Sequence, residues 1–462
     1  MRHAFSDDFD VACRQSTTLS EILGAFSYAL DLTEGQPEGH SLRSCWIASS
    51  IARALDLPPA DRRTVYYATL LKDLGCSSNA ARIAELYLAD DRRFKHDYKL
   101  VPEGLGPTLR FVFSRTGQGQ SFAARTRAIA TILSDGANIA RDLIQTRCTR
   151  GADIARRLRF PEAVAGAIAA LDEHWDGSGK PLGHSGEDIP LAARLALLAQ
   201  VADVFQKAAG PEAALAEVAA RRGTWFDPAL VDTFLHLAGN PAFWQDVNAP
   251  SLEARIGAFE PVDTRIMVDE DYLDDIADAF GAVIDAKSPY TGGHSGRVGA
   301  YARELGQAMG MAEQNVRELR RAAVLHDVGK LGVSSRVLEK PGKLDDVEWI
   351  EMRGHAAHTM AILSRIGPMR DMASIAAAHH ERLDGKGYPL GLKDILIAQE
   401  ARIITVCDFY DALVADRPYR AAMPVEKALS IMEAEIGQAI DGTCFDALSD
   451  LVRRDCPARA EP

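Results

Sequence analysis

No C-x-x-C pair occurs among the seven cysteines (Cys13, Cys45, Cys76, Cys148, Cys407, Cys444, Cys456). Thiols scattered in this way exclude a zinc ribbon and a disulfide scaffold, and suit a reducing compartment. The amino-terminal MRHAFSDDFD lacks the apolar stretch of a signal peptide, and LAARLALLAQVADVF is broken by Arg194, Gln200 and Asp203 well short of a membrane span. A cytoplasmic chain with no membrane attachment is expected. Basic residues are also scarce: 52 Lys and Arg stand against 65 Asp and Glu, a net charge of −13. That balance gives no broad grip on a nucleic-acid polymer, although a local basic pocket could still take a small anion.

Alternating β-type segments are nearly absent too. Apolar residues instead recur at intervals of three and four, as in Val298, Tyr301, Leu305, Met309 and in Trp349, Met352, Ala356, Met360, Leu363. Asp345 followed by Glu348 forms a capping box at the start of the second stretch. An all-α protein of helical bundles is predicted, with Gly/Pro loops such as EKPGKL and DGKGYPLG between helices. Its 462 residues, 47% hydrophobic and 25% charged, suffice for two or three domains with large cores.

Histidine is what the chain concentrates. Six of its twelve histidines fall within the 87 residues from His294 to His380: GGHSGRV at His294, HDVGK at His326 and Asp327, His355 and His358, and AAAHHERLDGKGYP at His379 and His380. Asp408 follows. Imidazoles and carboxylates in this pattern suit a metal-dependent hydrolase. Two adjacent residues on a helix diverge by about 100°, so His326 and Asp327 can serve two metal positions with Asp327 between them. Seven candidates (His294, His326, Asp327, His355, His379, His380, Asp408) are too many for one tetrahedral zinc and suit two ions of higher coordination number. Two ions against two carboxylates leave the centre electropositive, able to attract phosphate and acidify water. His358 has no ligand role and is taken as structural. Lys330 on this reading alone could be a helix-end cation.

The first half repeats the second in outline. GHS at 39–41 matches GHS at 293–295, and Lys72-Asp73 matches His326-Asp327. DGSGKPLG from Asp176 matches DGKGYPLG from Asp384, QVADVF around Asp203 matches TVCDFY around Asp408, and GTWFDPALVDTF matches GTCFDALSDLV. A duplicated helical domain is expected. Counting back from the DG-x-G loops sets Leu171, Asp172 and Arg147 against His379, His380 and His355. The first copy keeps His40, Asp73 and Asp203, carries about 46 extra residues between Lys72 and Arg147, and has no match to DRPYR. It should bind no dinuclear centre, with His40 and Asp73 structural.

Residues 285–420 resemble the HD-GYP phosphodiesterases of the HD superfamily, in PYTGGHSGRV, HDVGKLGV, KPGKLDDVEW, HHERLDGKGYP and CDFYDALVADRPYR. The resemblance implies two tandem HD-domain-like bundles, with a degenerate regulatory or structural copy at 16–247, a linker at 248–268, where Pro250, Gly257 and Pro261 interrupt the pattern, and a catalytic HD-GYP domain at 269–456. It implies hydrolysis of cyclic di-GMP to pGpG, and onward to GMP, by two divalent ions, iron or manganese. His294, His326, Asp327 and Asp408 would hold one ion, and Asp327, His355, His379 and His380 the other. Lys330 would contact the scissile phosphate, Arg417 and Arg420 would hold phosphate, and Gly387-Tyr388-Pro389 would shape the ligand loop. Some members carry a glutamate four residues before the first histidine and bind a third metal. Tyr290 stands there in this chain, and a phenol is a poorer ligand at neutral pH, so two metals are expected. Asp285 is either a partner to the ligands or a solvated helix residue.

The mechanism this implies is in-line attack of a metal-bridging hydroxide on phosphorus, with Asp327 and Lys330 as the catalytic groups. Two other readings stand beside it. One keeps the chemistry but changes the substrate, for example to cyclic GMP-AMP. The other is a signalling scaffold docking diguanylate cyclases or other signalling proteins. Two homologous domains also suggest an intrachain pseudo-dimer, and a homodimer is left open.

Overall fold

The protein is described by a computed structural model covering residues 17–102, 104–261, 265–288, 292–415 and 421–455. Among these it is all helix, with β-type pairing confined to the isolated bridges Thr18–Met267, Arg222–Phe226 and Ile436–Ile440. Helix ends follow local chemistry. Thr18 and Glu21 close a capping box on Leu19–Glu34, and Asp345 and Glu348 close the predicted one on Asp346–Leu363. The buried face of that last helix is His355, Ala356, Thr359, Ile362 and Leu363, while Trp349 and Ile350 near its start are exposed. Periodicity located the helix but not where its core contact begins.

The two halves use the same bundle. Leu19–Glu34, His40–Ala54 and Pro59–Leu70 in the first correspond to Glu270–Asp285, His294–Ala308 and Glu313–Leu325 in the second. Local contacts recur in register: Asp31 accepts from the Ser41 N–H at 2.9 Å and hydroxyl at 2.7 Å, and Asp285 from the Ser295 N–H at 3.2 Å and hydroxyl at 2.7 Å. Asp285, expected either as a partner to the ligands or as a solvated helix residue, is half-buried and anchors the start of the His294 helix through Ser295. The halves also pack on each other reciprocally. Leu19–Glu34 lies against Val328–Gly332 and Asp346–Leu363, while Glu270–Asp285 lies against Cys76–Asn79 and Phe122–Arg157. Phe26 and Phe280, each fourteen residues before its GHS histidine, stack with centroids 3.6 Å apart and planes 12° from parallel. Equivalent residues meeting themselves are the mark of an isologous, two-fold-like interface.

These contacts correct two of the repeat matches. Asp203 corresponds to Asp411, not Asp408: His40 Nδ1 meets Asp203 at 2.7 Å as His294 Nδ1 meets Asp411 at 2.7 Å, and Arg43 and Arg297 bind the same two carboxylates. The residue opposite Asp408 is Gln200. Likewise Gly223 and Asp227 correspond to Gly437 and Asp441, with Arg194 and Arg402 bonded to the two aspartates at 2.7 and 2.8 Å, so GTWFD and GTCFD do not superpose. Chance similarity of short strings won over the ungapped count from the DG-x-G loops.

The extra segment of the first half forms Ala80–Tyr87, Asp91–Lys99, Leu105–Arg115 and the start of Phe122–Arg157, around a small core of Ile83, Phe94 and Phe111. It reaches into the second half. Asp91 pairs with the buried Lys287 at 3.1 Å and accepts the Ser335 N–H at 2.8 Å, while Arg92 bonds the Gly332 carbonyl and Glu351. Over its described residues, the stretch predicted as a linker is ordered against the first half, with the short helix Leu252–Ile256, an edge-on Trp46–Phe259 pair at 4.6 Å and an Arg53 bond to the Ala258 carbonyl at 2.9 Å.

Candidate functional site

Both adjacent pairs of candidate ligands lie just beyond helix ends and not within helices. Glu313–Leu325 stops before His326, and a 3-10 turn Val328–Gly332 follows Asp327. Arg370–Ala377 stops before His379 and His380. The Gly329 backbone lies so close to the helix carrying His355 that a Cβ there would be 1.9 Å from the His355 carbonyl oxygen. Only glycine permits that approach. Thr359 locks the turn, donating to the His326 carbonyl at 2.9 Å and accepting the Gly329 N–H at 3.0 Å.

The side chains converge on Asp327. Its Oδ2 faces His294 Nε2 at 3.7 Å and His326 Nε2 at 3.2 Å, and its Oδ1 faces His355 Nε2 and His379 Nε2, each at 3.7 Å. Asp408 Oδ1 is 3.4 Å from His294 and 3.9 Å from His326. Ligand-type atoms of His294, His326 and Asp327, of His326, His379 and Asp408, and of His355, His379 and His380 form three tight clusters. Among the described residues Asp327 is thus the carboxylate with an oxygen toward each side. His326 Nε2 and Asp327 Oδ1 are buried without a hydrogen-bond partner. Orphaned polar atoms of this kind are costly unless something absent from the chain satisfies them, and a cation fits both.

Ring orientation is set from behind. Nδ1 of His326, His355 and His379 meets the carbonyl oxygens of Ala323, Met352 and Ala376 at 2.7, 2.6 and 2.7 Å, and Nδ1 of His294 meets Asp411. A proton held on Nδ1 leaves Nε2 free to ligate. Burial drives the pKa of His355 down to about 4, and burial with the neighbouring His326 drives His379 to about 3, so both are neutral at pH 7. Burial would raise Asp327, but His326 and Lys330 outweigh it and hold the carboxyl well below its usual range. Burial opposes charge on His294 as well, yet its bonds to Asp327 and Asp411 prevail and lift it to about 9.

The centre opens where Asp408 is 19% and Lys330 24% exposed. Lys330 Nζ lies 2.5 Å from Asp327 Oδ2. The loop after His380 forms another wall of the site: a Cβ on Gly387 would fall 2.4 Å from the Arg382 nitrogen, the Tyr388 ring packs 4.8 Å from His380, and Glu381 accepts the N–H groups of Leu390 and Leu392 at 2.7 and 2.8 Å. Pro389 follows Tyr388 through a cis bond. His358 packs against Gly332, away from the cluster. Tyr290, Arg417 and Arg420 lie outside the described residues. Asp411, Thr359 and Glu381 were missed from sequence. The ungapped count that pairs Asp203 with Asp411 was the available signal for the first.

In the first half the equivalent volume holds its own cations. Lys72 stands for His326 and bonds Asp73, and Arg147 stands for His355 and bonds Asp172, which replaces His380. Glu34, Asp73 and Cys76 come together there, but Lys95 and Lys99 reach Glu34 at 3.3 and 2.8 Å. Although burial would raise Glu34, Lys99 and Lys95 hold it well below the usual range.

The HD domain family profile matches residues 134–230 and 279–444. A 3′3′-cGAMP-specific phosphodiesterase of Vibrio cholerae is 49% identical over 430 residues, covering 93% of this chain and 94% of that protein. A cyclic di-GMP phosphodiesterase of Thermotoga maritima is 36% identical over 195 residues, 40% of this chain and 53% of that one. The crystal structure of a cyclic GMP-AMP specific phosphodiesterase of V. cholerae matches with a TM-score of 0.65 and 44% identity, covering 95% and 98%. No helix among the described residues is long and apolar enough to cross a membrane. An all-helical frame that gathers histidines and aspartates around an HD turn, matches the HD domain profile over more than half its length and is 49% identical to one such enzyme over 430 residues, makes this chain a phosphodiesterase of the HD-GYP family.

Proposed function

We propose that this chain hydrolyses a phosphodiester bond of 3′,3′-cyclic GMP-AMP, and not, as the motifs alone suggested, of cyclic di-GMP. The observation that carries this is the 49% identity to the V. cholerae cGAMP-specific enzyme across both halves, against a match to the T. maritima cyclic di-GMP enzyme over only 40% of the chain. His294, His326, Asp408 and Asp327 Oδ2 would hold one divalent ion, and His355, His379, His380 and Asp327 Oδ1 the other. Iron and manganese suit such mixed nitrogen and oxygen donors. When bound, the metal pair supplies polarised water and positive charge for hydrolysis. Lys330 adds an ammonium at the open edge, placed to hold a phosphoryl oxygen as negative charge develops. Tyr388 and the Gly387 backbone bound the space into which the rest of the dinucleotide extends.

Turnover of metal-loaded protein on 3′,3′-cyclic GMP-AMP, cyclic di-GMP and cyclic di-AMP tests the reading. A preference in kcat/KM of at least about tenfold for the mixed dinucleotide is expected, equivalent to about 1.4 kcal/mol of discrimination. Equal or faster cleavage of cyclic di-GMP would overturn it. Asp411→Ala should lower metal affinity by roughly 10–100-fold, because His294 loses the carboxylate that fixes its ring. Unchanged metal content after dialysis against a graded chelator would refute the orienting role.

A further inference from the structure

We propose that a cavity between the two halves, sharing no lining residue with the metal-ligand cluster, is a binding site for a nucleotide phosphate. It has a volume of about 610 Å³ and is lined by Arg150 and Arg157 of Phe122–Arg157, by Arg320 and Asp278, and by glycines that include Gly281 and Gly292. Its two-fold counterpart, lined by Ser27, Tyr28, Glu38, Leu42 and Arg365, holds only about 190 Å³.

In the small cavity Arg365 is neutralised and covered: Glu38 pairs with it at 2.7 Å, and the Tyr28 ring lies 4.0 Å beneath its guanidinium. Position for position, the large cavity has Gly292 where the small one has Glu38, Ala282 for Tyr28, Gly281 for Ser27 and Gly296 for Leu42. The counterpart of Arg365 is Arg157. Each of these four substitutions removes bulk and one of them removes the counter-charge, whereas Asp278, paired with Arg320, stands where the small cavity has Gly24. Arg320 is matched by Asp278, with two bonds of 2.8 Å, whereas no ion pair to Arg150 or Arg157 forms among the described residues.

Arg150 and Arg157 are seven residues apart on one helix, hence on the same face and roughly 10 Å apart along the axis. Guanidinium forks suit phosphate oxygens, and the volume lies in the range of small-molecule sites, well beyond what a single phosphate fills. A nucleotide with a phosphate on one arginine and its remaining bulk along the glycine floor meets both conditions. An occupant would touch both halves and would adjoin Gly293, which precedes His294. The proposal does not depend on which cyclic dinucleotide is cleaved.

The test is calorimetric titration of the full chain carrying Asp327→Ala and Lys330→Ala, so that neither metal nor the Lys330 ammonium holds phosphate at the centre, with the linear 5′-phosphorylated dinucleotide pGpA and, separately, with inorganic phosphate. One-to-one binding of the dinucleotide is expected. Adding Gly292→Glu should weaken it at least tenfold by giving Arg157 the partner that Glu38 gives Arg365. A Cβ at Gly292 meets nothing within 4 Å. Arg157→Ala provides the same test without adding bulk. No binding to the chain carrying Asp327→Ala and Lys330→Ala, affinity unmoved by both further substitutions, or phosphate binding as tightly as the dinucleotide would each overturn the proposal.

Discussion

Replacing Asp327 with alanine is expected to strip the protein of metal and stop turnover together. Each of its oxygens faces a different group of imidazoles, at 3.2 to 3.7 Å. Its loss would remove one of the two carboxylates that offset the charge of the ions, and the one whose two oxygens face different groups of imidazoles. A fall in kcat on the order of 10³-fold or more is expected, the scale seen when a principal electrostatic stabiliser of a hydrolytic transition state is removed. Metal analysis of anaerobically purified protein alongside single-turnover hydrolysis checks it. Wild-type metal content with retained turnover would disprove the bridging role. Lys330→Ala offers a contrast: metal should stay while kcat falls, because Lys330 touches the site through Asp327 Oδ2 and the open edge, away from the imidazoles.

Asp91→Ala should be the most destabilising single change outside the centre. Asp91 and Lys287 are 0% and 1% exposed, 3.1 Å apart, and come from opposite halves. Removing one member of a buried pair leaves a charge in a low-dielectric interior and costs about 3–5 kcal/mol, while removing both is often near neutral. Asp91→Ala should therefore lower the urea midpoint strongly, and Asp91→Ala with Lys287→Met should recover part of the loss, the Ser335 N–H and Lys95 still lacking the carboxylate. An unchanged midpoint in the single variant would show that the pair does not join the halves. The same geometry bears on deletion of residues 1–247. That truncation would remove the partner of Lys287, the ring stacked on Phe280 and the cap on Ser335. It should yield a chain that fails to fold, so the first half's contribution is better probed by point substitutions at Asp91 and Arg92.

Helix content and most candidate ligands were legible because both are written locally. A 3.6-residue apolar period and a capping box need only a short window, as Asp345 and Glu348 show. The histidine clusters were legible as a set because few other arrangements call for imidazoles beside HD and DGxGYP. Substrate choice was not, since relatives named for different cyclic dinucleotides both match this chain, over 430 and 195 residues. The duplication was legible in outline, but the pairing of Asp203 with Asp408 was misplaced by three residues. Short similar strings carry no record of which side chain faces which histidine.

By itself, the sequence determined an all-helical phosphodiesterase whose second half concentrates the candidate ligands, because residue type and spacing are properties of the chain alone. Tertiary structure decided the rest. It turned one oxygen of Asp327 to each group of imidazoles, gave His294 the remote Asp411 as its orienting partner, and put Lys72 and Arg147 into the first half's equivalent volume. It also brought Asp91 to Lys287 across 196 positions of sequence. Those are distances between residues remote in the chain, set by how helices pack, and no local pattern encodes them.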